Sequence, residues 1–176
     1  MKSIIVYSSQ TGFTRKYAEW LAQELGAVSI PLGEAQKKGD EYFEDADAIV
    51  YGGWVMGGKI VNGEWFAQKA PAWKGKKLAM LCVGASPEDS ATVDTVLQDA
   101  LQDGLREEAR AFYCPGGIAY ERMKLPSRLL MKAFAAMMRN KKDASAEEKS
   151  MGEMLAHSYD ISDKKYILPI LQYLQG

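Results

Sequence analysis

The chain of 176 residues has very few of the side chains on which several classes of protein depend. It contains one histidine, His157, and two cysteines, Cys82 and Cys114, which lie far apart in the sequence. This scarcity excludes a disulfide scaffold and a zinc site of the CxxC type. It also leaves any histidine-based triad or metal centre with a single candidate residue. We therefore expect no metal site.

Excess charge and long hydrophobic runs are also lacking. Lys and Arg number 22 against 23 Asp and Glu, so the formal net charge is -1. This balance argues against a globally basic nucleic-acid binder and against a disordered acidic protein. No apolar run approaches the roughly 18 to 20 residues that span a bilayer, and the run near the N-terminus is too short for a signal peptide. The expected location is the cytoplasm, with both thiols reduced.

Short apolar runs alternate with longer amphipathic stretches along the first two thirds of the chain. The runs predict strands at 3–7, 27–32, 46–53, 77–84 and 109–114, and the stretches predict helices at 14–25, 60–70 and 91–105. Pro31 restricts the second strand to an edge of the sheet or to a strand end. Strands that alternate with helices form a parallel sheet with helices on both faces. We therefore predict one α/β domain over residues 1–176.

The last third of the chain departs from this alternation and reads mostly as helix, at 125–138 and 162–175. The polar stretch 141–149 is either a loop or the start of a helix. Residues 120–142 contain one acidic residue, Glu121, and seven basic residues: Arg122, Lys124, Arg128, Lys132, Arg139, Lys141 and Lys142. Leucine, methionine and Phe134 interleave with them. A basic amphipathic segment of this kind lies on an anionic membrane or holds a partner helix. The alternative is an ordinary helix with a solvated basic face.

The loop after the first predicted strand is rich in hydroxyl groups. It comprises Ser8, Ser9, Gln10, Thr11, Gly12, Phe13 and Thr14. Ligands of open parallel sheets bind beyond the carboxyl ends of the strands, and hydroxyls with free N–H groups at a helix N-terminus bind anions. The loop has neither the Walker A pattern nor GxGxxG. It predicts a phosphate site, and the alternative is a capped turn.

The stretch 4–25 resembles the opening of flavodoxin-like proteins. Ser9-Gln10-Thr11-Gly12-Phe13-Thr14 follows their T-x-[TS]-G-x-T pattern, with Ser9 in the first Thr position. The resemblance implies a three-layer α/β/α sandwich with a five-stranded parallel sheet of order 2-1-3-4-5. It also implies that the cofactor is FMN, with residues 8–14 around its phosphate.

The resemblance implies two further flavin loops. The loop predicted at 52–58 would flank the isoalloxazine ring through Gly53, Trp54, Val55, Met56 and Gly57. Trp54 would stack on the ring, and the glycines would allow close backbone approach. The alternative is a surface tryptophan beside a plain turn.

The other flavin loop follows the fourth predicted strand and contributes Gly84, Ala85 and Ser86. It lacks the tyrosine that shields the flavin in many flavodoxins. One ring face would then be open to a substrate or quinone, unless Tyr113 or Tyr120 fills the gap.

The composition of residues 116–132 also resembles that of the corresponding segment in menaquinone-dependent protoporphyrinogen oxidases. Those enzymes carry a basic helical segment after the fifth strand, which would lie at about 118–142 here. This implies an FMN oxidoreductase acting with a quinone, a porphyrinogen or a redox protein. Residues 122–142 would contact the inner face of the membrane. The few acid/base side chains fit a flavoprotein, because the cofactor carries the chemistry. No catalytic residue is assigned. A non-enzymatic electron carrier and a binding module without flavin remain as alternatives.

Overall fold

The computed structural model describes residues 1–101 and 105–176. Its strands are β1 (Ser3–Tyr7), β2 (Val28–Pro31), β3 (Ala48–Met56), β4 (Lys59–Ile60), β5 (Lys77–Gly84), β6 (Ala109–Pro115), β7 (Gly117–Ile118) and β8 (Tyr159–Asp160). Its α-helices are α1 (Phe13–Leu25), α2 (Leu32–Ala35), α3 (Glu41–Glu44), α4 (Gly63–Lys69), α5 (Thr92–Ala100), α6 (Leu125–Asn140), α7 (Ala146–Leu155) and α8 (Leu168–Gln175). Single 3₁₀ turns cover Ala70–Trp73, Tyr120–Arg122 and Lys164–Ile167.

The main sheet has the strand order β2-β1-β3-β5-β6, and these five strands run parallel. Leaving aside the short antiparallel β4, this is the predicted order 2-1-3-4-5. One face is covered by α1 and α8 through Tyr17, Leu21, Ile170 and Leu174. The other face is covered by Phe66, Trp73 and Val96. Because both faces are covered, the central strands are continuous apolar runs, and the predicted three-layer architecture is confirmed.

Most predicted element boundaries agree with the structure to within a few residues. Helix α1 ends where Gly26 adopts a left-handed conformation with φ 59°, as expected for a helix C′ glycine. Strand β2 lies at the edge of the sheet, which tolerates Pro31. Helix α5 covers 92–100 of the helix predicted at 91–105, and positions 102–104 of that prediction lie outside the described residues.

The loop predicted at 52–58 is wrong for most of its length. Strand β3 continues to Met56, and the chain turns back at Gly57 and Gly58 into β4, pairing Val55 with Ile60. The two glycines have φ angles of 59° and 82°, which suit the tight turns of two-residue hairpins. Strand β4 also takes up the first residue of the helix predicted at 60–70, so α4 begins three residues later, at Gly63.

Gly53 is required by this hairpin. A Cβ atom at Gly53 would lie 2.5 Å from Cγ2 of Ile60 and 2.9 Å from the carbonyl oxygen of Val61. The atoms that approach Gly53 closely therefore belong to β4 and to Val61, the residue that follows β4. This packing is sufficient to explain the glycine without any ligand.

The chain from 116 to 163, which we call the connecting segment, links β6 to the last helical region. Strand β6 ends at Pro115, and after Gly116 the residues Gly117–Ile118 form β7, which pairs with β8. Helix α6 confirms the helix predicted at 125–138. The polar stretch 141–149 contains the start of α7, where Ser145 and Glu148 form a reciprocal capping box. Helices α6 and α7 pack together through their own small core, which includes Ala135 and Leu155.

Within the parts of the chain that the structure describes, no helix is long and apolar enough to cross a membrane.

We predict that Gly53→Ala lowers the free energy of unfolding by about 1–3 kcal/mol, because the new methyl group overpacks β4. The measurement is urea denaturation of protein prepared without flavin. Gly33→Ala is the matched control, since a Cβ atom there meets nothing within 4 Å. Unchanged stability of Gly53→Ala combined with weaker flavin binding would contradict this assignment and favour the ligand instead.

Candidate functional site

The carboxyl ends of the central strands open into a cleft with a cavity of about 110 Å³. The cleft brings together the three predicted loops. Its lining includes Gln10, Thr11, Phe13 and Thr14 from the first loop, Trp54, Val55 and Met56 from β3, and Gly84 and Ala85 at the end of β5. The connecting segment supplies the remaining wall through Gly117, Ile118, Met123, Ser127, Leu130 and Met131. Elements distant in sequence therefore meet at one edge of the sheet, as the parallel topology requires.

The first loop is shaped by its own hydrogen bonds. Gly12 adopts a left-handed conformation with φ 102°, and its N–H donates to Oγ of Ser9 at 3.2 Å. Gly12 is also the N-cap residue of α1, and no side chain caps that helix. The hydroxyls of Thr11 and Thr14 donate to no protein group within the described residues. The side-chain cap that the alternative of a capped turn requires is therefore not seen among the described residues, and the first-turn N–H groups have no side-chain acceptor there.

Ser8 lies below the loop, and its polar groups are already engaged. Its N–H donates to the carbonyl oxygen of Gly52 at 2.8 Å, and the Nδ2 of Asn62 donates to its Oγ at 3.0 Å. The hydroxyl of Tyr51 lies 2.9 Å from that Oγ and 2.7 Å from the carbonyl oxygen of Val61. Because a phenol has one proton and a carbonyl only accepts, Tyr51 donates to Val61 and Ser8 donates to Tyr51. Burial raises the pKa of Tyr51, so the phenol stays protonated.

Three more predicted residues lie outside the cavity wall and have structural surroundings. Gly53 packs against β4, and Gly57 forms the hairpin turn. The carbonyl oxygen of Ser86 accepts a hydrogen bond from the hydroxyl of Tyr113 at 2.9 Å. Of the residues predicted in the second loop, Trp54 and Met56 are the large side chains that line the cleft, and Trp54 is half-buried there.

Two half-buried tyrosines hold the third loop through hydrogen bonds to its backbone. Besides Tyr113, Tyr159 of β8 donates to the carbonyl oxygen of Ala85 at 2.7 Å. Burial raises the pKa of both phenols, which keeps them neutral donors at physiological pH. Tyr120 instead donates to the carbonyl oxygen of Leu155 at 2.6 Å. Neither Tyr113 nor Tyr120 therefore lines the cleft in place of the missing tyrosine.

The connecting segment takes that place, and the sequence analysis did not foresee it. Met123, Leu130 and Met131 form an apolar wall of the cleft that Gly84 and Ala85 also line, and Met123, Met131 and Ala85 pack against one small core. The basic amphipathic pattern at 120–142 was visible in the sequence, but nothing local indicated that this helix packs beside the first loop. The pairing of β7 with β8 positions it, and this pairing joins residues about forty positions apart.

The two cysteines do not contribute to the site. The side chains of Cys82 and Cys114 are both fully buried. Burial raises the pKa of the Cys82 thiol to about 12 and that of Cys114 well above its usual value. Neither thiol forms a reactive thiolate at neutral pH.

Helix α6 exposes apolar side chains beside the cleft. Leu125, Leu129, Leu130 and Met137 are at least 60% exposed and Phe134 is 42% exposed. Their spacing places them on one outward half of the helix, without a charged residue among them. A strip formed by Arg128, Lys132 and Arg139 follows the edge of this half. We call the five side chains the apolar face of α6.

Comparison with known proteins identifies the family. The flavodoxin domain family matches residues 4–145 of the chain. The structure is similar to the WrbA-like flavodoxin of Agrobacterium tumefaciens, with a TM-score of 0.51, 17% sequence identity, and coverage of 72% of this chain and 87% of that chain.

Two more solved structures are similar at lower TM-scores. The Trp repressor binding protein of Bacillus subtilis has a TM-score of 0.49 and 14% identity, covering 83% of this chain and 100% of that one. The flavodoxin of Fusobacterium nucleatum, bound to flavin mononucleotide, has a TM-score of 0.45 and 14% identity, covering 70% and 77%. No curated protein matches the chain. Since the family match extends over most of the chain, the protein belongs to the flavodoxin domain family.

Proposed function

We propose that the cleft binds FMN and that the protein is an FMN-dependent oxidoreductase. The observation that carries the proposal is the meeting, in one cleft, of an uncapped helix N-terminus, unpaired hydroxyls and an apolar pocket beside Trp54. Membership of the flavodoxin domain family supports the same cofactor.

The residues present suit both ends of FMN. The hydroxyls of Thr11 and Thr14 and the N–H groups of the first turn of α1 would bind the phosphate, while Ser9 and Gly12 keep the loop in shape. Trp54 would stack on the ring system, and backbone groups at Met56 and Ala85 lie in the wall that would face it. When bound, a flavin supplies one- and two-electron redox chemistry. The protein's contribution is to bind, orient and shield it.

The wall from the connecting segment favours an apolar electron acceptor. Met123, Leu130 and Met131 offer adaptable apolar contacts where the shielding tyrosine of many flavodoxins is missing. A quinone or a porphyrinogen has the flat apolar body that such a wall accommodates. This supports an enzyme of the type that includes the menaquinone-dependent protoporphyrinogen oxidases, rather than a carrier that only docks with redox proteins.

The apolar face of α6 supports action at the inner face of an anionic membrane. Exposed leucine, methionine and phenylalanine side chains would enter the interface between headgroups and acyl chains. Lys124 and Lys132 are exposed beside this face and would complement anionic headgroups. The opening of the cleft shares Leu130 with the apolar face, so a lipid-dissolved acceptor would reach the flavin without crossing water.

We expect the purified protein to bind one equivalent of FMN, and we expect Thr11→Val to weaken binding by about 1.5–3 kcal/mol. The substitution removes a hydroxyl that donates to a charged phosphate. Fluorescence titration of FMN gives the dissociation constants. Thr92→Val is the control, because Thr92 is exposed at the start of α5, far along the chain from the loop. Equal affinity of wild type and Thr11→Val would contradict the phosphate assignment, and no FMN binding by the wild type would contradict the cofactor.

We expect the protein to co-sediment with vesicles containing phosphatidylglycerol and to lose this binding when α6 is altered. Lys124→Glu with Lys132→Glu should lower the partition coefficient at least about tenfold, since each basic residue near an anionic surface contributes about 1 kcal/mol. Leu129→Ser with Phe134→Ser should lower the partition coefficient similarly, because it removes apolar side-chain area that would be buried in the bilayer.

The control for charge alone is Lys37→Glu with Lys74→Glu, two exposed lysines elsewhere in the chain. If this pair reduces vesicle binding as much as the α6 pair, the attraction is a property of net charge and the assigned surface is wrong. Absence of wild-type binding at low salt would likewise contradict the membrane proposal.

A further inference from the structure

Arg122 of the connecting segment lies over the first loop. Its Nη1 donates to the carbonyl oxygen of Thr11 at 3.4 Å, and it lies 3.4 Å from the position that a Cβ atom at Gly12 would occupy. More than a hundred residues separate Arg122 from Gly12 in the sequence. The loop, which has no basic residue of its own before Arg15, therefore has a guanidinium group placed beside it by the tertiary structure.

The backbone that carries Arg122 is firmly held. Arg122 ends a 3₁₀ turn, and its N–H donates to the carbonyl oxygen of Ala119 at 3.0 Å. Tyr120 anchors the turn to the far end of the segment, since its N–H donates to Oγ of Ser158 at 3.1 Å and its hydroxyl donates to Leu155. The guanidinium therefore projects from a fixed base onto the loop.

Unlike Arg15 and Lys16 of helix α1, Arg122 has no carboxylate partner within 4.0 Å among the described residues. Arg15 pairs with Glu19 at 2.7 Å, and Lys16 pairs with Asp160 at 2.9 Å. Glu121, the acidic neighbour of Arg122, accepts a hydrogen bond from Ser158 instead. The long bond to one carbonyl oxygen leaves most of the five N–H donors of Arg122 unused.

We infer that Arg122 binds the phosphate of the flavin, as a charged residue supplied to the loop by the connecting segment. This inference rests on the proposed FMN site. A guanidinium matches the geometry of phosphate oxygens and forms stronger hydrogen bonds with them than with a neutral carbonyl. Binding of the phosphate moves the Nη donors from Thr11 onto the ligand. The connecting segment, which also forms the apolar wall, is thereby linked to the phosphate end of the cofactor.

The test compares FMN with riboflavin, which has the same ring system and no phosphate. We expect Arg122→Gln to weaken FMN binding roughly 10- to 100-fold, as for loss of a charge-assisted hydrogen bond, and to leave riboflavin affinity within about twofold. The salt dependence of FMN affinity should also decrease. Arg122→Lys should recover part of the affinity, because the charge returns without the planar fork.

Arg139→Gln is the matched control, since it removes the same charge from the same segment at a residue that lies 3.8 Å from Glu153. Equal losses for FMN and riboflavin in Arg122→Gln would overturn the inference and indicate a role in the fold of the segment. Wild-type-like FMN affinity in Arg122→Gln would overturn it as well. If the wild type binds neither flavin, the proposed function itself fails, and this outcome is distinct from the two others.

Discussion

The buried hydroxyl of Tyr51 holds in place three parts of the chain on which the cleft depends. It connects β3, where it resides, to the carbonyl oxygen of Val61 after β4 and to Ser8 at the end of β1. A buried polar group that loses its partners is costly, so this network strongly favours one arrangement of hairpin and loop. Ser8 is therefore hydrogen-bonded within the protein, whereas the hydroxyls of Thr11 and Thr14 donate to no protein group among the described residues.

The connecting segment completes the cleft at the carboxyl ends of the parallel strands. It lines the cleft with methionine and leucine side chains, and it places Arg122 beside the carbonyl oxygen of Thr11 in the first loop. Tyr159 of the same segment supports the third loop from below. One stretch of chain thus contacts both of the regions where a flavin would lie, so changes in this segment are expected to affect affinity and choice of acceptor together.

Charge is distributed unevenly between the connecting segment and the rest of the chain. The segment 120–142 is strongly basic within a chain whose formal net charge is -1, so the rest of the protein is acidic. The basic strip runs along the edge of the apolar face of α6, which is the arrangement of a helix that lies on an anionic surface. A helix packed fully onto the sheet would have buried this face, as α1 and α8 do with theirs. Its exposure is therefore informative about function in a way that composition is not.

The sequence by itself determined the sheet and the first loop of the site. Strands buried on both faces must be continuous apolar runs, and Gly26 marks a helix end through its backbone conformation, so local patterns were sufficient for the parallel α/β class and most boundaries. The strand order came from the resemblance of the stretch 4–25 to flavodoxin-like proteins. The loop of Ser9, Thr11 and Thr14 was also recognisable, because its chemistry is contained in consecutive residues. The hairpin at Gly57 and Gly58 had a local signal too, since two glycines after an apolar strand favour a tight turn.

Only the tertiary structure decided which distant residues join that loop. Three contacts link positions that no periodicity relates: the pairing of β7 with β8, the close packing of Tyr113 against Gly84 and the approach of Arg122 to Thr11. Such contacts depend on how whole elements pack, and the sequence pattern of α6 does not by itself specify which loop that helix will lie beside. The local sequence therefore indicated the fold and the first loop of the site. The wall formed by the connecting segment and the position of the Arg122 guanidinium depend on how that segment packs.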